Sequence, residues 1–562
     1  MVPRRVWSRR SPIGLGFVLL ALLGFMLVHS GARSVPNAPT QRQLRFAGPP
    51  RVSPDYDFNL GGICAAGAAP IQAWNGHGWI FVPNEASYGV TVVDIATRQP
   101  VAFVPMDDAP HHSHAFPGKR WIYITPRYSG YLFAIDTQRP FVTKKIEFPG
   151  VERGGPLHLS FSPDGTYAFV TLNLAEHVAV IDVDKAELVT LIRVGKRPRD
   201  VGVTPDGRKV FVSLQAEPYI AVFDVGTWRV RTLGRTVTEY KLPGSGSGLD
   251  VSWDGKLVAV NNTIDNEVVF FDTQTETVVA RVGKLPPVTV NSVFLGKTPY
   301  YAAISWGGGG ITIVDTRDFQ TVKFVRTGNT PNAALYGPDG FIWVTHHNEL
   351  YIALLDPRSF EVVRKIDVGA GTHLVTFSPN GRLAVVDHPM GRSISFIDVE
   401  TYEVVDQVYV GAGPDAPVLK VDVPLRTLRT WQARAGQARS ALSKAVVLVH
   451  PEPRTEREKV FLGACSICHD MPRVAVLDRL FLSPDRAVRA EQWTSIVRRM
   501  VFHGAPLMPE QEKLVVDYLT DREYEGFVDR VKTRLQEEMR HKVRRLGLSF
   551  WGPDPRRPEI AP

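Results

Sequence analysis

The chain has 562 residues, 44% hydrophobic and 22% charged, with a net charge of +8. These values describe a folded polypeptide too long for one ordinary domain, and they exclude a disordered or fibrous chain. Arginines crowd the two ends instead of forming a stripe, which argues against nucleic-acid binding, and three cysteines do not make a disulfide framework.

At the N-terminus, Arg4, Arg5, Arg9 and Arg10 precede an apolar run from Ile13 to Val28. Its length suits a signal-peptide core better than a full membrane span, and Val28-His29-Ser30 offers a cleavage site. An uncleaved anchor is the alternative. Residues 1–33 are therefore read as a signal peptide or membrane anchor, and membrane contact is expected through this segment alone, if it is uncleaved. Residues 34–60, rich in Pro, Arg and Gln, read as a linker or arm.

A repeat follows. Its unit opens with a turn such as Ser162-Pro163-Asp164-Gly165, runs through an alternating strand (Tyr167 to Thr171), and closes a further strand on Asp182. The turn recurs at Thr204-Pro205-Asp206-Gly207, Ser252-Trp253-Asp254-Gly255, Gly337-Pro338-Asp339-Gly340 and Ser378-Pro379-Asn380-Gly381. The closing aspartate recurs as Asp94, Asp136, Asp182, Asp224, Asp272, Asp315, Asp356 and Asp398, at spacings of 42, 46, 42, 48, 43, 41 and 42 residues. Eight copies of short strands at this period predict a mainly β fold, an eight-bladed β-propeller over residues 61–421.

The motif order resembles YVTN-type repeat propellers. Phe341 to His347, followed by Tyr351 to Asp356, resembles a blade of the haem-d1 domain of nitrite reductase, which also has eight blades. Pro331-Asn332 departs from that family, where Pro-His is expected, and nitrite reduction does not carry over.

Function in propellers usually sits where inter-blade loops meet the central channel, and those positions are expected just before the first strand of each blade. They carry histidines here. His112 and His158 are equivalent when blades are aligned on Thr125 and Thr171, Asp200 is the next equivalent, and His373 falls within one position of the same register. His111 and His114 add imidazoles at one entrance, and His346, His347 and His388 follow first strands in the last two blades. Imidazole suits copper, iron and zinc, so His111, His112, His114, His158, His347, His373 and His388 are candidate ligands. The His-His-x-His run resembles that of copper propellers such as nitrous-oxide reductase. The resemblances together imply either a d1-type haem or copper, and hydrogen-bonding loop histidines are the plain alternative.

Residues 422–455 read as a connecting segment. Cys465-Ser466-Ile467-Cys468-His469 is C-x-x-C-H, which attaches haem c covalently through Cys465 and Cys468 with His469 as an axial ligand of iron. A zinc site needs four ligands, and Cys64, the one other cysteine, is far away in the chain. Residues 456–521 resemble a small all-α class I cytochrome c, with a closing helix from Pro509 to Leu519. Met500 is favoured as the second axial ligand, with Met508 the alternative and His503 a third option; Trp493, Ile496, Val497 and Met500 share one helical face. Residues 522–562 read as a charged helical tail.

The sequence thus points to a periplasmic or membrane-tethered electron-transfer protein, an oxidoreductase if the funnel holds a second cofactor. Its expected partners are a periplasmic redox protein and a small-molecule substrate. A non-catalytic docking platform for the cytochrome and a cofactor-assembly factor are the alternatives.

Overall fold

The computed structural model describes residues 76–139, 142–233, 246–263, 265–389, 392–411, 413–421, 429, 454–465, 490, 493–494, 497, 509–521 and 524. Thirty-two strands among them form eight antiparallel sheets of four strands each. The protein is mainly β, and this part of it is an eight-bladed propeller.

The repeated residues have local physical jobs. In the turn, Ser162 Oγ donates to Asp164 Oδ1 at 2.6 Å and Gly165 N–H donates to Ser162 O at 2.8 Å, with Gly165 at φ +66°, a left-handed conformation open to glycine. The closing aspartate ends the third strand and caps the next turn. Asp182 Oδ1 accepts the N–H groups of Asp184 and Lys185 at 3.1 and 3.0 Å, and Asp356 and Asp398 repeat the pattern. Those turns end four residues on at a left-handed position occupied by a side chain, as at Ala186, Trp228, Phe360 and Tyr402.

Each blade is apolar on both faces and packs against its neighbours. Trp79, Phe81, Val90 and Val92 of the first blade meet Ile122, Ile124, Phe133 and Ile135 of the second. Between the third and fourth blades, Phe169 packs edge-on to Phe223, with ring centroids 5.8 Å apart.

The ring closes by a strand exchange that the repeat does not announce. The first blade takes three strands from its own stretch (Trp79–Asn84, Gly89–Asp94, Gln99–Pro105) and its innermost strand, Val418–Lys420, from the far end of the repeat. Trp79 pairs with Lys420 and Phe81 with Val418. Closure removes exposed sheet edges at the join.

Near the C-terminus, helix Glu456–Cys465 packs on helix Pro509–Leu519. The first is capped at its start: Thr455 Oγ1 accepts Glu458 N–H at 3.2 Å, and Glu458 Oε2 reaches back past the cap to accept Arg454 N–H at 2.6 Å. Phe461, Tyr518 and Tyr524 form a buried aromatic cluster with centroids 5.3 to 5.8 Å apart, and Trp493 and Val497 are buried too. Val515, Tyr518 and Leu519 are buried, while Leu514 is half-buried. Cys465 ends its helix. Its side chain, together with Cys468, His469, Met500, His503 and Met508, lies outside the described residues, as does the apolar run Ile13 to Val28. Among the described residues no helix is long and apolar enough to cross a membrane.

Candidate functional site

The channel-facing histidines are on strands, not on the loops before them. His111, His112 and His114 belong to the innermost strand of the second blade, Pro110–Ala115, and His158 to that of the third, Pro156–Phe161. The repeat visible in the sequence begins at the second strand of each blade, which makes the innermost strand look like a connecting loop. For the same reason His346 and His388 end second strands, Ile342–His346 and Leu383–His388.

These inner strands share a device. Several begin with proline and shift register within three residues: Pro110 to Ser113, Pro156 to Leu159, Pro198 to Val201, Pro331 to Ala334. A bulge sets two consecutive residues against one partner residue, and proline tolerates it because it has no N–H to pair. In a regular strand His111 and His112 would point to opposite faces. Across the bulge their rings stack, with centroids 3.7 Å apart and planes at 17°. The equivalences follow from hydrogen bonds to the next strand: His112 N–H donates to Thr125 Oγ1 and His158 N–H to Thr171 Oγ1, both at 3.1 Å, and Asp200 N–H to Ser213 Oγ at 3.0 Å. In the eighth blade Leu374 holds this position and His373 precedes it, one residue out of register.

The imidazoles form one arc. His158 lies nearly parallel to His112 at 5.0 Å and to His111 at 5.9 Å. His114 is 6.0 Å and His373 6.2 Å from His112, and His347 stacks on His373 at 5.2 Å. One donor nitrogen each from His111, His112 and His158 lies within 4.8 Å of the other two. His388 is not part of this arc. It is fully buried with both ring nitrogens engaged, Nδ1 with Gly371 O at 3.2 Å and Nε2 with Ser395 Oγ at 2.7 Å, which is a structural role.

Charged groups hold the arc in place. Asp200 Oδ1 pairs with His158 Nδ1, which leaves Nε2 as the ring's lone-pair donor, and Asp200 Oδ2 accepts Leu249 N–H at 3.0 Å. Asp415 reaches three rings: its oxygens lie 3.6 Å from His111 Nε2, 3.7 Å from His112 Nε2 and 2.6 Å from His373 Nδ1. Arg127 bridges Glu85, at 3.0 Å, and His111 Nε2, at 3.1 Å. Arg199 joins Asp200, Ser247 and Asn291, and Asn291 continues to Asn332, whose Nδ2 donates to His373 O at 2.8 Å. A polar belt thus runs round the channel.

Burial pushes His112 well below the usual histidine range, with the neighbouring imidazoles adding to the shift, and lowers His114 to about 3. Burial also lowers His158 although Asp200 pulls the other way. His373 is the exception: burial would depress it, but Asp415 and Asp387 outweigh that and raise it to about 10. His112, His114 and His158 are therefore neutral imidazoles, flanked by one imidazolium at His373. Neutral imidazole is the form that binds metal. The donors of His111, His112 and His158 fit one transition-metal ion in kind. Because a metal lies near the plane of each ligating ring, seating one requires at least one of the stacked rings to turn about its Cβ–Cγ bond.

Glu85, Arg127, Arg199, Asp387 and Asp415 do not stand out in the sequence. Asp387 leaves a trace, since it replaces the Thr or Ser found in other blades. Asp415 leaves none, because it precedes the exchanged strand and has no counterpart in the repeat.

Residues 108–289 match the family described as "Lactonase, 7-bladed beta-propeller". No curated protein shows a significant sequence match to the chain. Among solved structures, the dihydro-heme d1 dehydrogenase NirN in complex with DHE is 17% identical over 68% of this chain and 82% of its own, with a TM-score of 0.51. Hydrazine synthase of Kuenenia stuttgartiensis is 17% identical over 47% of this chain and 89% of its own, with a TM-score of 0.39. Apo AztD from Citrobacter koseri is 13% identical over 61% and 98%, with a TM-score of 0.46. The likeness to NirN is one of fold.

Proposed function

We propose that this chain is an exported c-type cytochrome–propeller fusion, an oxidoreductase that exchanges electrons between a covalent haem and a copper ion held in the propeller channel. The observation that carries the reading is the trio His111, His112 and His158, buried and mutually within 4.8 Å, with His112 and His158 held neutral, in a chain that also contains Cys465-Ser466-Ile467-Cys468-His469. The similar propeller NirN is a dihydro-heme d1 dehydrogenase, so a d1-type haem is the rival occupant. A haem iron takes protein ligands only along its axis, one from each side. Three donor nitrogens gathered within 4.8 Å of one another suit a single ion better.

Copper bound there would supply one-electron chemistry. The protein's own groups do the rest. Asp200 fixes the tautomer and angle of His158, Asp415 offers a carboxylate beside His111 and His112, and Arg127 and Arg199 tie Glu85 and Asp200 into the belt. In the C-terminal region, Cys465 and Cys468 would hold the haem covalently, and His469 and Met500 would ligate its iron. The helix pair Glu456–Cys465 and Pro509–Leu519 with its buried aromatics supports a small helical module around that motif. A redox protein of the periplasm completes the electron path.

Metal analysis and a pyridine haemochrome spectrum of the purified full chain test this. One c-type haem per chain and at least one copper, lost in His158→Ala, is the expected result. No copper with c-type haem alone would leave the propeller as a docking platform, and a red-shifted d1 band would replace copper by a macrocycle.

A further inference from the structure

We infer that the channel holds a second metal site, made by His373, Asp387 and Asp415, and that Asp415 links it to the three-histidine site so that the propeller binds a pair of ions. This rests on the copper reading above.

The argument starts from a position that repeats. In the second, third, fourth and seventh blades, a Thr or Ser hydroxyl on the second strand accepts an N–H from the bulged inner strand: Thr125, Thr171, Ser213 and Thr345, at 3.0 to 3.1 Å. The eighth blade has Asp387 there. Its Oδ1 does the same work, accepting Leu374 N–H at 2.7 Å. Nothing in the fold asks for the second oxygen. Burying a carboxylate where a hydroxyl suffices is unfavourable unless the extra oxygen has a partner. Asp387 is fully buried, and its Oδ2 has no hydrogen-bond partner among the described residues. It sits 3.7 Å from His373 Nδ1.

Asp415 Oδ1 lies 2.6 Å from the same nitrogen, an ion pair not aligned as a hydrogen bond. Three donor atoms, one imidazole nitrogen and two carboxylate oxygens, thus lie within 4.8 Å of one another. Formal charge points the same way. Glu85, Asp200, Asp387 and Asp415 give four negative charges in this belt, against three from Arg127, Arg199 and the His373 imidazolium. A divalent cation that takes the place of the His373 Nδ1 proton brings the two sides level.

The two donor sets differ in hardness. Three imidazoles favour copper, whereas one imidazole with two carboxylates accepts copper, zinc or manganese. Asp415 belongs to both neighbourhoods, with Oδ2 3.6 Å from His111 Nε2 and Oδ1 on His373, the placement of a carboxylate shared by two ions.

The test uses the full-length holoprotein, stripped of labile metal with EDTA, dialysed against Cu(II) and counted by mass spectrometry, with EPR of the loaded protein. Asp387→Thr gives the eighth blade the hydroxyl that four other blades carry and keeps the strand contact. Wild type is expected to hold two copper ions with a half-field EPR transition from coupled spins. Asp387→Thr should hold one, with an uncoupled spectrum and an unchanged melting temperature. One ion in both proteins overturns the second site and leaves the three-histidine site standing. Two in both, or none in Asp387→Thr, overturns the assignment of these residues. No copper in wild type sinks the copper reading itself.

Discussion

Asp200→Asn is a demanding probe of the histidine cluster, because an amide nearly preserves shape while removing charge and one acceptor. Asp200 Oδ1 serves His158 Nδ1 and Oδ2 serves the backbone N–H of Leu249. Both partners are donors, since His158 is neutral and its Nδ1 carries the proton. An asparagine has one acceptor, so its NH2 group must face one of the two donors. Leaving a buried donor unsatisfied costs about 1–3 kcal/mol. If the loss falls on His158, the ring is no longer held in the tautomer that offers Nε2. Outer-sphere partners of this kind are typically worth about 10- to 100-fold in metal affinity, or roughly 1.4–2.7 kcal/mol. The expected result is a copper affinity at pH 7 lowered by that factor, measured by competition with a chromophoric chelator. The propeller's melting temperature should fall by a few degrees. An affinity within twofold of wild type, with the fold intact, would refute the idea that Asp200 orients His158.

Other consequences follow from the same structure. Burial lowers His346 to about 4. At this residue the unfolded chain therefore binds one more proton than the folded one between about pH 6.5 and 4, and its share of the stability lost on acidification through that window is about 1.4 kcal/mol per pH unit. His346→Gln should reduce, by that share, the difference in urea-unfolding stability between pH 7 and pH 4.5, and an unchanged pH slope would contradict the assignment. Thr171 Oγ1 accepts His158 N–H and donates to Arg199 O at 2.6 Å, so it staples neighbouring blades. Thr171→Val should destabilise the propeller by about 1–3 kcal/mol in chemical denaturation. Phe169→Ala empties a fully buried site against Phe223 and Trp228 and should cost about 3–5 kcal/mol, read as a shift in denaturant midpoint. Cys465→Ser should abolish normal two-thioether haem attachment, seen in the pyridine haemochrome. Met500→Ala should remove the thioether–iron charge-transfer band, whereas its loss in Met508→Ala alone would reassign the axial ligand.

The number of blades was legible because the aspartate ending each third strand caps a local turn, and local needs recur at a fixed spacing. Bulged inner strands were not legible. Pro110-His111-His112 reads as a loop until its register against Trp121–Pro126 is known, since the shift lies between strands. The equivalence of His112, His158 and Asp200 could be read from blade alignment. That His111 joins them, and that His388 does not, depends on the bulge and on partners such as Ser395 that no local spacing reveals.

By itself, then, the sequence determined the repeat, the eight blades and the haem-attachment motif, because each rests on residues close together in the chain. Tertiary structure alone decided which side chains meet. Glu85, Asp387 and Asp415 come from opposite ends of the repeat, and they stand beside His111 and His373 only because Val418–Lys420 returns to close the first blade. Ring closure converts distance along the chain into adjacency around the channel, and the candidate chemistry lies at that join.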